Sequence, residues 1–154
     1  MIKNKKESHP KYIYIYIYIK KEKKNQSIGL HQDYNTSACL IMEVLSRIMK
    51  KTEEGGLIRG FHVGPVNSTG ICISHLLFTN DTILFCDASR EQMISIRLVL
   101  TCFQAFIGLK VNVRKSEIVP IGEVSNIQTL ANILQCRVGQ SAYDLFGYAI
   151  GNFV

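Results

Sequence analysis

The chain has 154 residues, which is enough for one modest domain with a single hydrophobic core. A hydrophobic fraction of 47% and a mean hydropathy of +0.10 exclude the composition of a fully disordered chain. The formal net charge of +6 would suit a polyanionic partner, but much of the positive charge lies in the first 24 residues. Basic ends of this kind are typical of solvated segments.

Residues 1–35 are interpreted as a low-complexity basic leader, which we expect to be disordered. Its centre, Tyr12 to Ile19, is a perfect Tyr–Ile repeat between lysines. The repeat is far shorter than the ~20 residues of a membrane helix, so no membrane segment is predicted. It is a strand former with two apolar faces, typical of an aggregation-prone segment. Alternating A–T DNA read in frame also encodes Ile–Tyr, which favours a translated microsatellite.

From Thr36 onward the pattern predicts folded elements. A first helix would begin at a cap on Thr36 or Ser37 and end at Gly55–Gly56. Its apolar residues recur at helical spacing: Leu40, Ile41, Val44, Leu45, Ile48 and Met49. Leu57 to Val63 is a predicted strand. Residues 71–78 and 82–86 are predicted to form a hairpin through Thr79-Asn80-Asp81.

The second half predicts two more helices. Ser89 and Gln92 form a capping-box pattern, and Gly108 would end the helix that follows. The apolar stripe of that helix is Met93, Ile96, Leu100, Phe103 and Ile107. Strands are predicted at 109–113 and 117–121, and Ser125 would cap a last helix. The order α-β-β-β-α-β-β-α predicts an α+β fold, with helices on one face of a small, mostly antiparallel sheet.

Several kinds of site are disfavoured by the sequence. The five cysteines include no C-x-x-C pair, and most lie in apolar runs, which predicts buried free thiols rather than a zinc site. No phosphate-binding glycine loop and no Gly-x-Ser-x-Gly nucleophile motif occurs.

Two groups of polar residues remain as candidates for a site. Asp81 could meet a hard cation such as Mg²⁺, yet Thr-Asn-Asp between two strands is also an ordinary turn signal. A single aspartate does not supply the several carboxylates that two-metal phosphoryl chemistry needs. Lys110, Arg114 and Lys115 form a small basic cluster that could contact a phosphate backbone or simply face solvent.

Four segments of the chain resemble a known protein family: LIMEVLSRIMKKTEEGGLIRGFHVG, ISHLLFTNDTILFCDASREQM, FQAFIGLKVNVRKSEIVPIGEV and LANILQCRVG. From Leu40 to Gly139, about two-thirds of the chain, they resemble the reverse transcriptase domain of plant LINE-type (non-LTR) retrotransposons. The resemblance implies a partial palm over residues 36–139. Residues 140–154 form a divergent tail, because SAYDLFGYAIGNFV departs from the family after Tyr143.

The resemblance also implies a degenerate active site. The family's Phe/Tyr-Ala-Asp-Asp turn matches Phe78, Thr79, Asn80 and Asp81, so Asp81 is the implied metal ligand and Asn80 replaces the first acidic residue. The loss of one negative charge weakens the binding of a hard cation. The family's other catalytic aspartate lies on a strand upstream of the first helix, where the leader has no matching segment.

These implications define the functional hypotheses. The family uses Mg²⁺, nucleotides, an RNA template and a DNA primer, and acts in the nucleus. We expect the chain to be a truncated and catalytically inactive fragment of an RNA-directed DNA polymerase. One alternative is a small basic module that binds nucleic acid through Lys110, Arg114 and Lys115 without turnover. Another is a working polymerase whose missing segment another chain supplies.

Overall fold

A computed structural model describes residues 11–20, 34–65, 69–77 and 81–139. Within these ranges the chain is an α+β fold, as predicted. Its helices are α1 (Tyr34–Glu54), α2 (Arg90–Ile107) and α3 (Ile127–Leu134). Its strands are β1 (Tyr12–Lys20), β2 (Phe61–Val63), β3 (Ile71–Ile73), β4 (His75–Leu77), β5 (Asp81–Asp87), β6 (Lys110–Val111), β7 (Glu117–Ile121) and β8 (Arg137–Val138).

Six of these strands form one sheet in the order β4-β5-β1-β7-β8, with β6 pairing the end of β1. The pairings within it are antiparallel except for the parallel pair of β7 and β8, so the mostly antiparallel prediction is confirmed. Strands β2 and β3 form a separate antiparallel pair. The central strand is β1, which joins the β4–β5 pair to the β7–β8 pair.

The three helices cover one face of this sheet, also as predicted. Because side chains alternate along a strand, the isoleucines of β1 all point towards the helices and its tyrosines point away. The isoleucines are buried with Leu84, Cys86 and Ile118 against apolar residues of α1, α2 and α3. On the opposite face Tyr14 packs with Ile83, Phe85 and Val119, beneath Phe61 of the β2–β3 pair.

The expectation of a disordered leader is wrong for residues 12–20. The Tyr–Ile repeat forms the central strand and is buried on both faces, since Ile13 and Ile15 are 0% exposed and Tyr14 is 1% exposed. An alternating apolar segment with a buried partner on each face gains enough from desolvation to become ordered. The folded unit therefore includes β1 and is not limited to residues 36–139. The rest of the leader, apart from Lys11 and the start of α1, and the tail at 140–154 lie outside the described residues.

The helix predictions hold in most respects. Helix α1 begins at Tyr34, two residues before the predicted cap, and is followed by Gly55 and Gly56, the latter with φ of 74°. Ser89 caps α2 through its side chain, which accepts a hydrogen bond from the Gln92 N–H, and Gly108 ends it with φ of 73°. The predicted α2 stripe is buried at Met93, Ile96, Leu100 and Phe103. Ser125 is not a cap, because α3 begins after Asn126 without a side-chain cap bond.

Other local predictions need correction. The strand predicted at 57–63 is limited to Phe61–Val63, and the one at 71–78 is divided at Ser74 into β3 and β4. The predicted burial of the cysteines holds for Cys86 alone. Cys39, Cys72 and Cys102 are exposed and Cys136 is intermediate, although all five are free thiols as predicted. An apolar sequence context failed to predict burial because Cys39 and Cys102 lie on the outward faces of their helices.

No helix in the described ranges is both long enough and apolar enough to cross a membrane.

Candidate functional site at one end of the sheet

Asp81 is the first residue of β5 and does not belong to the turn itself. The next residue, Thr82, is fully buried towards the helices, where its hydroxyl lies 3.7 Å from the sulfur of Met42 on α1. Since side chains alternate along a strand, Asp81 projects from the opposite face of the sheet. That face is the one that carries the tyrosines of β1.

Tyr16 of β1 is the hydrogen-bond partner of Asp81. The phenolic O–H donates to Oδ2 of the carboxylate across the β1–β5 pair. Burial raises the pKa of Tyr16 above its ordinary value of 10.0, and the hydrogen bond to Asp81 raises it further. Tyr16 therefore keeps its proton at neutral pH and remains a donor to the carboxylate.

The second oxygen of Asp81 does not make a metal site. Oδ1 is buried and accepts no hydrogen bond from any described residue. No group of three or more His, Cys, Asp or Glu side chains in the described ranges could hold a metal ion. Because Oδ2 is bonded to Tyr16 and Oδ1 is shielded from solvent, a hydrated cation cannot approach this carboxylate without displacing side chains. The described residues thus do not fit the magnesium site that the resemblance implies.

Tyr18 connects Asp81 to the predicted basic cluster. It lies directly opposite Asp81 in the β1–β5 register. On its other side, its backbone carbonyl accepts a hydrogen bond of 2.8 Å from the Asn112 N–H, and its N–H donates to Ser116 Oγ at 3.3 Å. The ammonium of Lys115 lies 4.8 Å from the centre of the Tyr18 ring, which is a cation–π contact.

The three basic residues occupy the segment that follows α2. Lys110 lies on β6, where it pairs with Lys20 of β1, and Arg114 and Lys115 lie between β6 and β7. All three are exposed. The structure thus brings two candidates from distant parts of the sequence, Asp81 and Lys115, to the same end of the sheet on either side of Tyr18.

Glu117 is another acidic group on this face, and it is neutralised locally. It pairs with Tyr16 in the β1–β7 register, so one strand separates it from β5. Its carboxylate forms a 2.8 Å ion pair with Arg137 of β8. Neighbouring strands lie ~4.8 Å apart, so Glu117 and Asp81 are about two strand spacings from each other. They are too far apart to share a pair of ions separated by ~3.5–4 Å unless their side chains converge.

The predicted turn residues Phe78, Thr79 and Asn80 lie outside the described residues. Tyr16 and Tyr18, the neighbours of Asp81, were not predicted as site residues. The signal for them was the strict two-residue alternation of the repeat, which is the period of a half-buried strand. Pairing of that strand with β5, some 65 residues later, has no local signature in the sequence.

A second polar cluster lies at the edge strand β4. Ser46 Oγ of α1 lies 2.7 Å from Nε2 of His75, and Ser74 Oγ lies 2.9 Å from Nδ1. Burial lowers the pKa of His75 below its ordinary value of 6.5, so the ring is neutral at pH 7. Both ring nitrogens are satisfied, and the cluster ties the first helix to the edge of the sheet.

Comparison of the chain with protein-family models, with curated proteins and with solved structures finds no match.

Proposed function

We propose that the chain is a partial palm derived from the reverse transcriptase of a non-LTR retrotransposon, and that it does not polymerise nucleotides. The four sequence segments between Leu40 and Gly139 support the origin. The α+β layout, with three helices on one face of a mostly antiparallel sheet, is compatible with it. The residues around Asp81 support the loss of activity.

The observation that carries the proposal is the identity of the strand next to Asp81. By resemblance, the family's other catalytic carboxylate belongs to a strand upstream of the first helix. The described strand upstream of α1 is β1, and its residues near Asp81 are Tyr16 and Tyr18. A protonated phenol supplies no negative charge for Mg²⁺, and two-metal phosphoryl transfer requires several anionic ligands.

A primer-extension assay tests the loss of activity. The full chain is given an RNA template, a DNA primer, nucleotides and either Mg²⁺ or Mn²⁺, beside an active reverse transcriptase as a positive control. We expect no extension by the chain or by Asp81→Ala. Extension that the wild-type chain supports and Asp81→Ala abolishes would contradict the proposal.

Thermal unfolding with Mg²⁺ provides a readout that does not depend on activity. A ligand that binds the native state raises the unfolding temperature. We expect wild type and Asp81→Asn to unfold at the same temperature with and without millimolar Mg²⁺. A rise in the wild type that the variant lacks would show that Asp81 binds the cation and would remove the structural basis of the proposal.

A second candidate function is binding of single-stranded nucleic acid without turnover. The cation–π contact between Lys115 and Tyr18 favours it, because it places an exposed ammonium over an aromatic ring at one end of the sheet. Basic residues beside aromatic rings are the usual elements of single-strand binding surfaces. Lys110 and Arg114 extend the positive charge of that surface.

Binding of a fluorescent single-stranded RNA at several salt concentrations tests this candidate. We expect Lys115→Gln to weaken binding and to make the slope of log K against log salt shallower by about 0.7, the value for one lost phosphate contact. Lys50→Gln, an exposed lysine on α1, is the matched control and should leave the slope unchanged. An equal loss in both variants would mean that only net charge matters, which would reject a site at Lys115.

A further inference from the structure

The Tyr–Ile repeat can pair with its neighbours in more than one register, because its sequence repeats every two residues. An antiparallel ladder repeats every two residues, so a slide of β1 by two residues restores the same pattern of backbone hydrogen bonds. The slide also keeps every isoleucine on the helix side and every tyrosine on the other side. The Tyr16–Asp81 hydrogen bond does not choose between registers, because Tyr14 or Tyr18 would take the place of Tyr16.

In the observed register, the number of isoleucines in the repeat equals the number of buried positions on the helix side of β1. The groove between β5 on one side and β7 and β6 on the other takes four isoleucines, and the repeat supplies four: Ile13, Ile15, Ile17 and Ile19. They are 0%, 0%, 2% and 4% exposed. Lys11 immediately precedes the repeat and is exposed, with its carbonyl accepting a 2.8 Å hydrogen bond from the Ala88 N–H.

The residues outside the repeat distinguish the registers. A slide in one direction would bring Lys11 into the fully buried position of Ile13. A slide in the other direction would bring Lys21 into the position of Ile19. Burial of an unpaired ammonium in an apolar environment is far more costly than burial of an isoleucine is favourable. Each slide is therefore opposed at one end of the groove.

We propose that the flanking lysines Lys11 and Lys21 fix the register of β1, and that the groove is a strand-binding site with a capacity of four Tyr–Ile units. The repeat supplies the affinity for the groove, and the lysines supply the position along it. A change in the number of repeat units then changes the register rather than the fold.

A chain lengthened by one unit tests the role of the lysines. With one extra Tyr–Ile unit inserted after Ile19, two registers fill the groove with four isoleucines and leave the lysines outside. We expect the ¹⁵N–¹H spectrum to show two sets of backbone amide peaks for β5 and β7, where the wild type shows one. The control has the same length but carries Lys–Lys inserted after Ile19, and should show one set. A single set in the five-unit chain, or two sets in the wild type, would overturn the proposal.

A shortened chain tests the capacity of the groove. Deletion of Tyr18 and Ile19 moves Lys21 into the last buried position, so we expect a lower urea midpoint or loss of folding. Lys21→Ile in the shortened chain restores the fourth isoleucine and should restore cooperative unfolding. Deletion of Lys23 and Lys24 removes two residues outside β1 and should leave the midpoint unchanged. A three-unit chain as stable as the wild type, or one that Lys21→Ile does not rescue, would refute the four-unit capacity.

Discussion

At the scale of single residues, the carboxylate of Asp81 acts as a structural acceptor. Its one hydrogen bond within the described residues comes from the Tyr16 phenol on the neighbouring strand. A half-buried carboxylate that loses its donor retains the cost of its desolvation without compensation. The same contact that blocks a cation from Oδ2 thus stabilises the pairing of β1 with β5.

Tyr16→Phe removes the donor and keeps the ring. We expect a loss of about 1–3 kcal/mol in the free energy of unfolding, measured with urea, because the buried carboxylate becomes unsatisfied. Tyr12→Phe is the matched control, since the Tyr12 ring keeps its edge-on contact with Phe61 without the hydroxyl. Equal effects of the two substitutions would mean that the bond to Asp81 contributes nothing to stability.

His75 predicts a dependence of stability on pH. Burial lowers its pKa in the folded protein, so below the ordinary value of 6.5 the unfolded chain binds a proton that the folded chain does not. The free energy of unfolding should therefore fall as the pH drops from 7.5 to 5, by no more than about 1.4 kcal/mol per pH unit for one proton. Urea unfolding at each pH measures the slope.

Two histidine variants test whether His75 causes this dependence of the free energy of unfolding on pH. His75→Gln should flatten it, whereas His62→Gln should keep it because His62 is exposed on β2. A slope that survives His75→Gln would show that other groups, and not the ring held between Ser46 and Ser74, control acid stability.

At the scale of elements, α2 shows how local sequence determines a helix start. Half of the predicted capping box is present: Ser89 Oγ accepts from the Gln92 N–H at 3.3 Å. The Gln92 side chain does not return to Ser89. Instead, the Gln92 side-chain carbonyl accepts hydrogen bonds from the N–H groups of Asp87 and Arg59, and its amide donates to the Asp87 carboxylate. These hydrogen bonds join the end of β5 to the loop before β2.

Ser89→Ala should cost about 1 kcal/mol of folding free energy, the usual value for a lost N-cap. Ser125 provides an internal control, because it is exposed and lies before α3 without serving as its cap. Ser125→Ala should therefore change the urea midpoint very little. A loss at Ser125 as large as that at Ser89 would contradict this assignment of the caps.

The elements that were predicted well share a physical property: their signals are local. The α2 stripe and its cap occupy consecutive turns, and the β4–β5 pair and β7 are short apolar runs bounded by polar residues. The largest failure depended on tertiary contacts. The Tyr–Ile repeat carries the clearest strand pattern in the chain, yet its low complexity led to a prediction of disorder. The repeat is ordered because β5 and β7 pair with it, and neither partner is visible in its local sequence. The identity of Tyr16 as the partner of Asp81 depends on the same distant pairing.

At the scale of the whole molecule, β1 is the element that unites the sheet. Strands β5 and β7 are not paired with each other, and each is hydrogen-bonded to β1. Removal of β1 would leave the β4–β5 and β7–β8 pairs with facing open edges. The stability of the fold therefore depends on the buried isoleucines of one strand.

Ile15→Ala in the middle of β1 should lower the free energy of unfolding by about 2–5 kcal/mol, since it opens a cavity at a fully buried site. Ile94→Ala on the outward side of α2, where the side chain is 40% exposed, is the control and should cost much less. Similar losses at the two sites, measured by urea unfolding, would show that β1 is not part of the core.

The central position of β1 has a consequence for synthesis on the ribosome. The strand is translated before its partners, because Tyr12 pairs with Asp87 and with Ile121, which lie much later in the chain. At 5–20 residues per second the nascent strand waits on the order of 4–20 s for its partners. During that interval eight alternating aromatic and aliphatic residues have no pairing partner, and the lysines on either side of them oppose self-association by their charge. The yield of native protein in a cell should therefore depend on translation speed and on chaperones that bind extended apolar segments.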